Sequence, residues 1–351
     1  MVKIPIAIVG AGGMGGRHLR ALKALYDSGM SNIELIAICD TRKENAIRLA
    51  NLAEDMLNSR PLVFTQIEEM KKERPDILAV DITTDSGSHH HVAQMAFNLG
   101  YNVLCEKPLS ITIKGCNKVI EAWKSSGKVL SVAEQERRDP ICRLNKALLD
   151  VGVIGDPYSF LLGSARGSRD IIILPWRHNK NSGGIFVDAG VHIVDQMMYY
   201  LGDIEEVFAT SKIWEPKRYK GKKIGVSNFY DHWVKEIPDE IDATSEDMVI
   251  STLKFKNGAV GQWTSFFAAH GEPLEYGMIY GSKGSLEPAK QRRGNPLTIT
   301  LDNGEIITGD QVLELVPDFH LDELTSRLFG SDRLGSYDAP FEDADKFLVA
   351  L

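Results

Sequence analysis

The chain has 351 residues, 43% hydrophobic and 25% charged, ordinary globular usage that excludes a disordered, fibrous or disulfide-stapled protein and leaves room for two domains. The net charge of −8, from 48 acidic against 40 basic residues scattered along the chain, provides no basic stripe for nucleic acid or an anionic membrane. Cys39, Cys105, Cys116 and Cys142 fall in no CxxC or Cys/His spacing and read as reduced thiols; no apolar run reaches the roughly 18 residues of a membrane span and no signal-peptide layout opens the chain, so the expected address is cytoplasmic.

The first third alternates strands and helices. A β-branched run from Lys3 to Val9 ends in glycines, and a helix from Arg17 to Tyr26 carries Leu19, Leu22 and Leu25 on one face. The run from Ile33 to Cys39 stops at Asp40, and a helix follows over Thr41 to Leu57. Then come Leu62 to Phe64, a helix from Ile67 to Glu73, the run from Ile77 to Ile82, a helix from His91 to Leu99 and the run from Asn102 to Cys105. Continuously apolar strands between helices predict an α/β doubly wound parallel sheet, a Rossmann domain over residues 1–130.

Beyond residue 130 the rhythm changes. Helices are expected from Ile141 to Leu149 and, longer, from Gly184 to Leu201, with strands at Tyr158 to Leu162, Val207 to Trp214, Met248 to Phe255, Val260 to Phe267, Tyr276 to Tyr280 and Leu297 to Leu301. Turns such as Asn257-Gly258 and Asn303-Gly304 join several of them. Residues 131–351 are thus expected to form an α+β domain with a large, open, mostly antiparallel sheet. The basic stretch Lys217 to Lys223 reads as a solvated loop. Trp263, Phe266 and Phe267 are expected on an exposed sheet face that pairs with another subunit, as a homodimer or homotetramer. Asp338 to Leu351 reads as an amphipathic helix that stops without a cap.

Gly10-Ala11-Gly12-Gly13-Met14-Gly15 is a GxGxxG placed directly after the first strand and opening the first helix, the context in which the motif has a mechanism. Gly10 makes the tight turn, Gly12 lets backbone approach a pyrophosphate, and Gly15 lets helix pack on strand, while the helix N-terminus supplies free N–H groups to phosphate. A bland alternative is a glycine-rich structural turn. Asp40 ends the second strand where a carboxylate accepts from both ribose hydroxyls and repels a 2′-phosphate, which favours NAD over NADP. Arg42, two residues on, offers a phosphate partner and softens that preference. Asp40 also suits a helix cap, and the two roles are compatible.

Thr83-Thr84-Asp85-Ser86-Gly87-Ser88-His89 follows the fourth strand, Glu106-Lys107-Pro108 follows the fifth, and Ser182-Gly183-Gly184-Ile185-Phe186-Val187-Asp188-Ala189-Gly190-Val191-His192-Ile193-Val194-Asp195 lies in the second half. With the glycine loop, these motifs resemble the glucose-fructose oxidoreductase / inositol dehydrogenase (Gfo/Idh/MocA) family, in matching order over at least residues 4 to 202. The resemblance implies that Lys107 and His192 orient a substrate hydroxyl and take its proton, while Asp188 holds the substrate or the histidine. It places Thr41, Thr83, Thr84, His89, Glu106, Gln135 and Arg177 beside the cofactor together with the glycine loop, Asp40 and Arg42. It places Arg137 and Trp176 against substrate, the indole serving as a platform for a sugar ring. Ala133 to Pro140 departs from the family pattern GxxxRFxP by carrying Arg138 where an aromatic is expected. Family members also generally continue the last helix and return to the nucleotide domain, so 351 residues looks slightly short.

The residues support this chemistry independently. Asp188, His192 and Asp195 at i, i+4 and i+7 fall within about 60° on one helical face, a polar stripe with no lysine or glutamate on an otherwise apolar helix. A surface face is the competing reading; an acid, imidazole and acid converging on a cleft is the preferred one. Lys107 lies at the carboxyl end of a parallel strand, where open α/β sheets bind ligands. Alcohol oxidation by hydride transfer needs a base for the hydroxyl proton, and His192 is the candidate, with Lys107 polarising the oxygen. His89-His90-His91 has a metal-site look, but adjacent helical residues point about 100° apart, and no Cys/His set supports a zinc route.

The leading expectation is therefore an NAD-dependent oxidoreductase acting on a secondary hydroxyl of a cyclic polyol, sugar or glycoside without a metal. One alternative is an enzyme that retains its NAD and uses transient oxidation for glycoside cleavage or sugar-to-sugar transfer. Another is a nucleotide-sensing protein, a class that usually lacks the lysine or the histidine, whereas both are present here. Substrate identity is expected to lie in the loops spanning Ser164 to Asn181 and Lys217 to Asp242.

Overall fold

In a computed structural model, which describes residues 3–221, 228–288 and 293–338, the first layer is a six-stranded parallel sheet. Its elements are β1 (Ile4–Val9), α1 (Gly13–Asp27), β2 (Ile33–Cys39), α2 (Lys43–Leu57), β3 (Leu62–Phe64), α3 (Ile67–Glu73), β4 (Ala79–Ile82), α4 (His89–Asn98), β5 (Asn102–Glu106), α5 (Ile113–Ser126) and β6 (Leu130–Ala133). The order β3-β2-β1-β4-β5-β6 reverses direction between β1 and β4, which opens a crevice at the carboxyl ends of those strands. The strands read as unbroken apolar runs because both faces are covered: Ala7 and Val9 pack into one core, Ile6 and Ile8 into the other.

The sequence pattern leaves α5 and β6 unmarked. The helix carries Gly115 in its first turn and fully buries only Gly115 and Val119, so its periodicity is faint; Thr112 caps it by accepting from Gly115 N at 3.0 Å. The strand β6 has four residues, one of them Ser131, too short for an alternation to show.

The second layer comprises α6 (Pro140–Asp150), β7 (Pro157–Gly167), α7 (Gly184–Asp188), α8 (Gly190–Leu201), β8 (Ile204–Lys212), β9 (Lys217–Tyr219), β10 (Glu240–Asp242), β11 (Met248–Phe255), β12 (Val260–Ala269), β13 (Leu274–Gly281), β14 (Gly284–Glu287), β15 (Thr298–Leu301), β16 (Ile306–Thr308) and α9 (Glu323–Phe329). Eight of these strands form one sheet, β16-β15-β14-β13-β7-β12-β11-β8, antiparallel except for the β7–β12 pair. Helices α6 and α8 cover one face, burying Leu144, Leu148, Met197 and Leu201 against Phe160, Leu253 and Phe255.

Three expectations are corrected here. The predicted helix over Gly184 to Leu201 is two helices, broken at Ala189. Trp263 and Phe267 face inward, where both rings pack on Phe186 of α7 at 5.9 and 5.6 Å; only Phe266 lies on the open face, in register with Met248. That face instead presents Phe208 (77% exposed), Ile250, Val260 and Tyr280. Strand alternation separates two faces but does not reveal which one a helix covers. The basic stretch Lys217 to Lys223 is not a plain solvated loop, since Lys217–Tyr219 is β9, paired with β10, and Arg218 is wholly buried. Its guanidinium binds Asp247 Oδ2 at 2.9 Å and the carbonyls of Ser168 and Phe267, a buried charge matched by a carboxylate and oxygen acceptors. The helix predicted over Asp338 to Leu351 lies outside the described residues from 339 onward. Among the described residues no helix is long and apolar enough to cross a membrane.

Candidate active site

The crevice begins at the glycine loop. Gly10 has φ +106°, and a Cβ there would stand 2.6 Å from the Thr83 main chain; Thr83 Oγ1 donates to Gly10 O at 2.6 Å, locking the β1 and β4 ends together. A Cβ on Gly15 would lie 2.3 Å from Gly10 O, the close helix–strand approach the motif requires. At Gly12, by contrast, a Cβ meets nothing within 4 Å. The loop is therefore tight on its protein side and open at Gly12, the residue just before α1. Met14 and Thr84 are half-buried on the rim, and Thr41 is exposed beside Asp40.

Asp40 follows β2 and is held by the main chain. Its Oδ2 accepts from Ala11 N at 2.7 Å and its Oδ1 from Arg42 N at 2.8 Å, the latter a turn that leads into α2. Each oxygen keeps a lone pair that can accept a further hydrogen bond.

Beneath the crevice lies a charge cluster that the sequence did not disclose. His18 of α1 places Nδ1 2.7 Å from Asp81 Oδ2 and Nε2 3.1 Å from Glu106 Oε1, all three side chains almost fully buried. Burial works against charge on the ring, but the two carboxylates overcome it and raise the His18 pKa to about 10. Glu106 Oε2 accepts from Lys107 N at 2.9 Å, so the inward carboxylate fixes the turn that carries Lys107. The Glu106 carboxylate faces His18, and the residue is 2% exposed. His89 also turns inward: its Nδ1 and Nε2 lie 2.7 and 3.0 Å from the carbonyls of Pro108 and Thr84 and buckle the two loops together.

Above the cluster, Lys107 Nζ donates to Asp188 Oδ1 at 3.0 Å and to Asp188 O at 2.9 Å. Arg177 Nε donates to Asp188 Oδ2 at 2.7 Å. Burial pushes the Asp188 pKa upward, yet the Arg177 and Lys107 charges hold it well below the usual carboxylate range. The break at Ala189 has its reason here: the Asp188 carbonyl leaves the helical ladder and accepts from Lys107. His192, at the start of α8, lies with Nδ1 2.8 Å from both oxygens of Glu134, the residue after β6. Burial also opposes ionisation of Glu134, and the His192 ring outweighs it, so its pKa is lowered.

The expected convergence of Asp188, His192 and Asp195 is corrected. Each has its own partner, and Asp195 pairs with Arg137 at the exposed end, Arg137 Nε donating at 2.5 Å to Asp195 Oδ2 while its guanidinium lies over Tyr199. Arg137, expected at the substrate, is thus engaged by Asp195. Gln135 is buried, its Oε1 without a hydrogen-bond partner among the described residues. Trp176 stacks on Arg177, ring centroid to guanidinium 4.5 Å, at the rim of the Asp188 cluster. Sequence reasoning missed Glu134, His18 and Asp81. A signal existed for His18, a polar residue directly before Leu19 on the apolar face of α1, and for Glu134, which adjoins Gln135.

A doubly wound sheet with a glycine loop open at Gly12, a carboxylate after β2 and a lysine after β5 is the frame of a dinucleotide-binding oxidoreductase. Residues 4–134 match the oxidoreductase family with an NAD-binding Rossmann fold, GFO_IDH_MocA, and residues 143–287 match the GFO/IDH/MocA C-terminal domain. The chain belongs to this Gfo/Idh/MocA family. It is 30% identical over 231 residues to the levoglucosan dehydrogenase of Pseudarthrobacter phenanthrenivorans, spanning 62% of this chain and 57% of that protein. It is 26% identical to the myo-inositol 2-dehydrogenase of Thermotoga maritima over 86% of this chain and 79% of that one. The D-glucoside 3-dehydrogenase of Escherichia coli is 27% identical over 73% and 68%. Among solved structures, levoglucosan dehydrogenase in complex with NADH and levoglucosan superposes with a TM-score of 0.69 at 25% identity, covering 87% of this chain and 80% of that one. An NAD binding oxidoreductase from Klebsiella pneumoniae shares the fold, with a TM-score of 0.76 at 22% identity over 99% and 88%.

Proposed function

We propose that the protein oxidises a secondary hydroxyl of a cyclic polyol, sugar or glycoside with NAD as acceptor. The observation that carries this reading is the pairing of two proton-handling groups, each with its own carboxylate: Lys107 with Asp188, and His192 with Glu134. Both stand beside the crevice that the glycine loop opens. The bound dinucleotide supplies the hydride acceptor for the carbinol carbon.

The substrate hydroxyl lies between Lys107 Nζ and His192 Nε2. Glu134 accepts the Nδ1 proton of His192, which fixes the tautomer and presents an unprotonated Nε2 to the hydroxyl. As the proton moves to Nε2, the Glu134 carboxylate stabilises the imidazolium, the role a buried carboxylate plays behind a catalytic histidine. Lys107 donates to the oxygen as it becomes a carbonyl, steadied by Asp188, which Arg177 holds from the other side. Trp176 offers an aromatic surface for a ring-shaped substrate. The names of the relatives, dehydrogenases of levoglucosan, inositol and glucosides, support this substrate class.

The test is a panel of inositols, aldoses and glycosides assayed at the reduced-nicotinamide band with NAD and NADP in parallel. Turnover of at least one with NAD is expected; none, with dinucleotide still bound, refutes the reading. The apolar open face around Phe208, Ile250 and Phe266 further supports a homo-oligomer, which a monomer in light scattering contradicts.

A further inference from the structure

One segment of the second half reaches across to the crevice. Residues 228–236 form a 3-10 stretch that lies against α1, although they follow β9 and precede β10. Three of its side chains meet the dinucleotide loops. The Tyr230 ring sits on Gly13, its Cε1 2.5 Å from where a Cβ on that glycine would stand. Trp233 lies under the guanidinium of Arg48 at 4.9 Å, and Arg48 Nη2 in turn holds Ala11 O at 2.6 Å. Glu236 Oε1 faces Arg42 Nη2 at 3.5 Å, next to Asp40. At its inner end Tyr230 lies 5.9 Å from the guanidinium of Arg177, which binds Asp188.

These contacts run in order from the ribose-recognising turn, along the glycine loop, to the proton-handling cluster. They leave the Gly12 side of the loop open, where nothing stands within 4 Å of a Cβ, so the segment borders the pyrophosphate cradle and does not fill it. A dinucleotide resting at Gly12 has the Tyr230 ring beside it, seated on Gly13 at the start of α1, with Trp233 further along against Arg48. Near its ribose, Glu236 occupies the side chain of Arg42, which would otherwise partner a 2′-phosphate, and adds a second carboxylate to that of Asp40.

We propose that residues 228–236 are the outer wall of the dinucleotide site: Tyr230 and Trp233 govern cofactor residence, and Glu236 strengthens the choice of NAD over NADP. The proposal rests on the dinucleotide reading and is independent of the substrate chemistry. Release of a bound dinucleotide requires the wall to part from Gly13 and Arg48, so its aromatic contacts enter the dissociation rate. The wall belongs to the same half as Asp188 and His192, which couples cofactor enclosure to the catalytic cluster through Arg177.

The experiment uses the full chain and NADH itself. Stopped-flow displacement, followed by NADH fluorescence, compares wild type with Tyr230→Ala, Trp233→Ala and Glu236→Gln, each checked by circular dichroism. We expect dissociation about tenfold faster or more in the two aromatic variants, by loss of aromatic packing. Glu236→Gln, on the surface and tolerant of substitution, is expected to narrow the ratio of NADP to NAD dissociation constants about fivefold, the scale of an exposed charge contact. Unchanged dissociation in a folded Tyr230→Ala or Trp233→Ala, together with an unchanged ratio in Glu236→Gln, overturns the wall while leaving the dinucleotide site intact. A wild-type protein that binds neither dinucleotide overturns both.

Discussion

His18→Gln removes the positive charge from between Asp81 and Glu106 and keeps a polar side chain in its place. The three side chains expose 4%, 10% and 3% of their surface, so the two carboxylates left behind are nearly out of solvent. Breaking a buried ion pair from one side costs about 3–5 kcal/mol. The raised pKa of His18 sets a similar ceiling: a rise from 6.5 to about 10 corresponds to at most about 5 kcal/mol. The folded-state pKa lies above the unfolded one, so this stabilisation is complete below pH 6.5 and is lost as the pH rises through 10. The gap between wild type and His18→Gln in urea unfolding is therefore expected to be about 4–5 kcal/mol at pH 6, about 3 at pH 8 and below about 1 at pH 10. Tryptophan fluorescence at the three pH values measures it. A gap that stays level across the range, or is under about 1 kcal/mol at pH 6, refutes the charged cluster.

The glycine loop separates folding from binding. Gly12→Ala meets no atom within 4 Å and is expected to unfold within about 1 kcal/mol of wild type, yet to weaken NADH binding at least about tenfold in a fluorescence titration. Gly15→Ala, whose Cβ would stand 2.3 Å from Gly10 O, is expected to cost over about 2 kcal/mol in the same unfolding assay. Glu134→Gln is expected to lower kcat by about 10- to 100-fold with NADH affinity unchanged, because the carboxylate that orients His192 is gone. A kcat within about twofold of wild type would show that Glu134 only packs beside the ring.

Local features of this protein are legible in its sequence. The strand Met248–Phe255 matches its expected bounds, because the Asn257-Gly258 turn ends it and its alternation is strict. The glycine loop and Asp40 are equally readable, since their geometry is set within a few residues of β1 and β2. What eludes the sequence is partnership at long range. Asp188 and His192 look like one helical stripe, but Lys107 draws the Asp188 carbonyl out of the ladder, and Glu134 claims the imidazole from the end of β6. Glu106 carries the family tripeptide into a buried pair with His18, a residue separated from it by three whole strand–helix units. Arg218 sits in a run of lysines and arginines that reads as solvated, and only the fold brings Asp247 to it. The crossing of residues 228–236 onto α1 has no local signature either, for its contacts depend on how the two layers meet.

In the proposed reaction Lys107 and His192 handle the hydroxyl proton beside a dinucleotide they are not needed to bind. With a substrate found in the panel, the decisive measurement is single-turnover NAD reduction by Lys107→Ala and His192→Ala, alongside NADH binding by the same preparations. Binding within about threefold of wild type and a chemical step slower by about 10²-fold or more are expected in each variant. A double variant that binds and still reduces NAD at the wild-type rate would contradict this role.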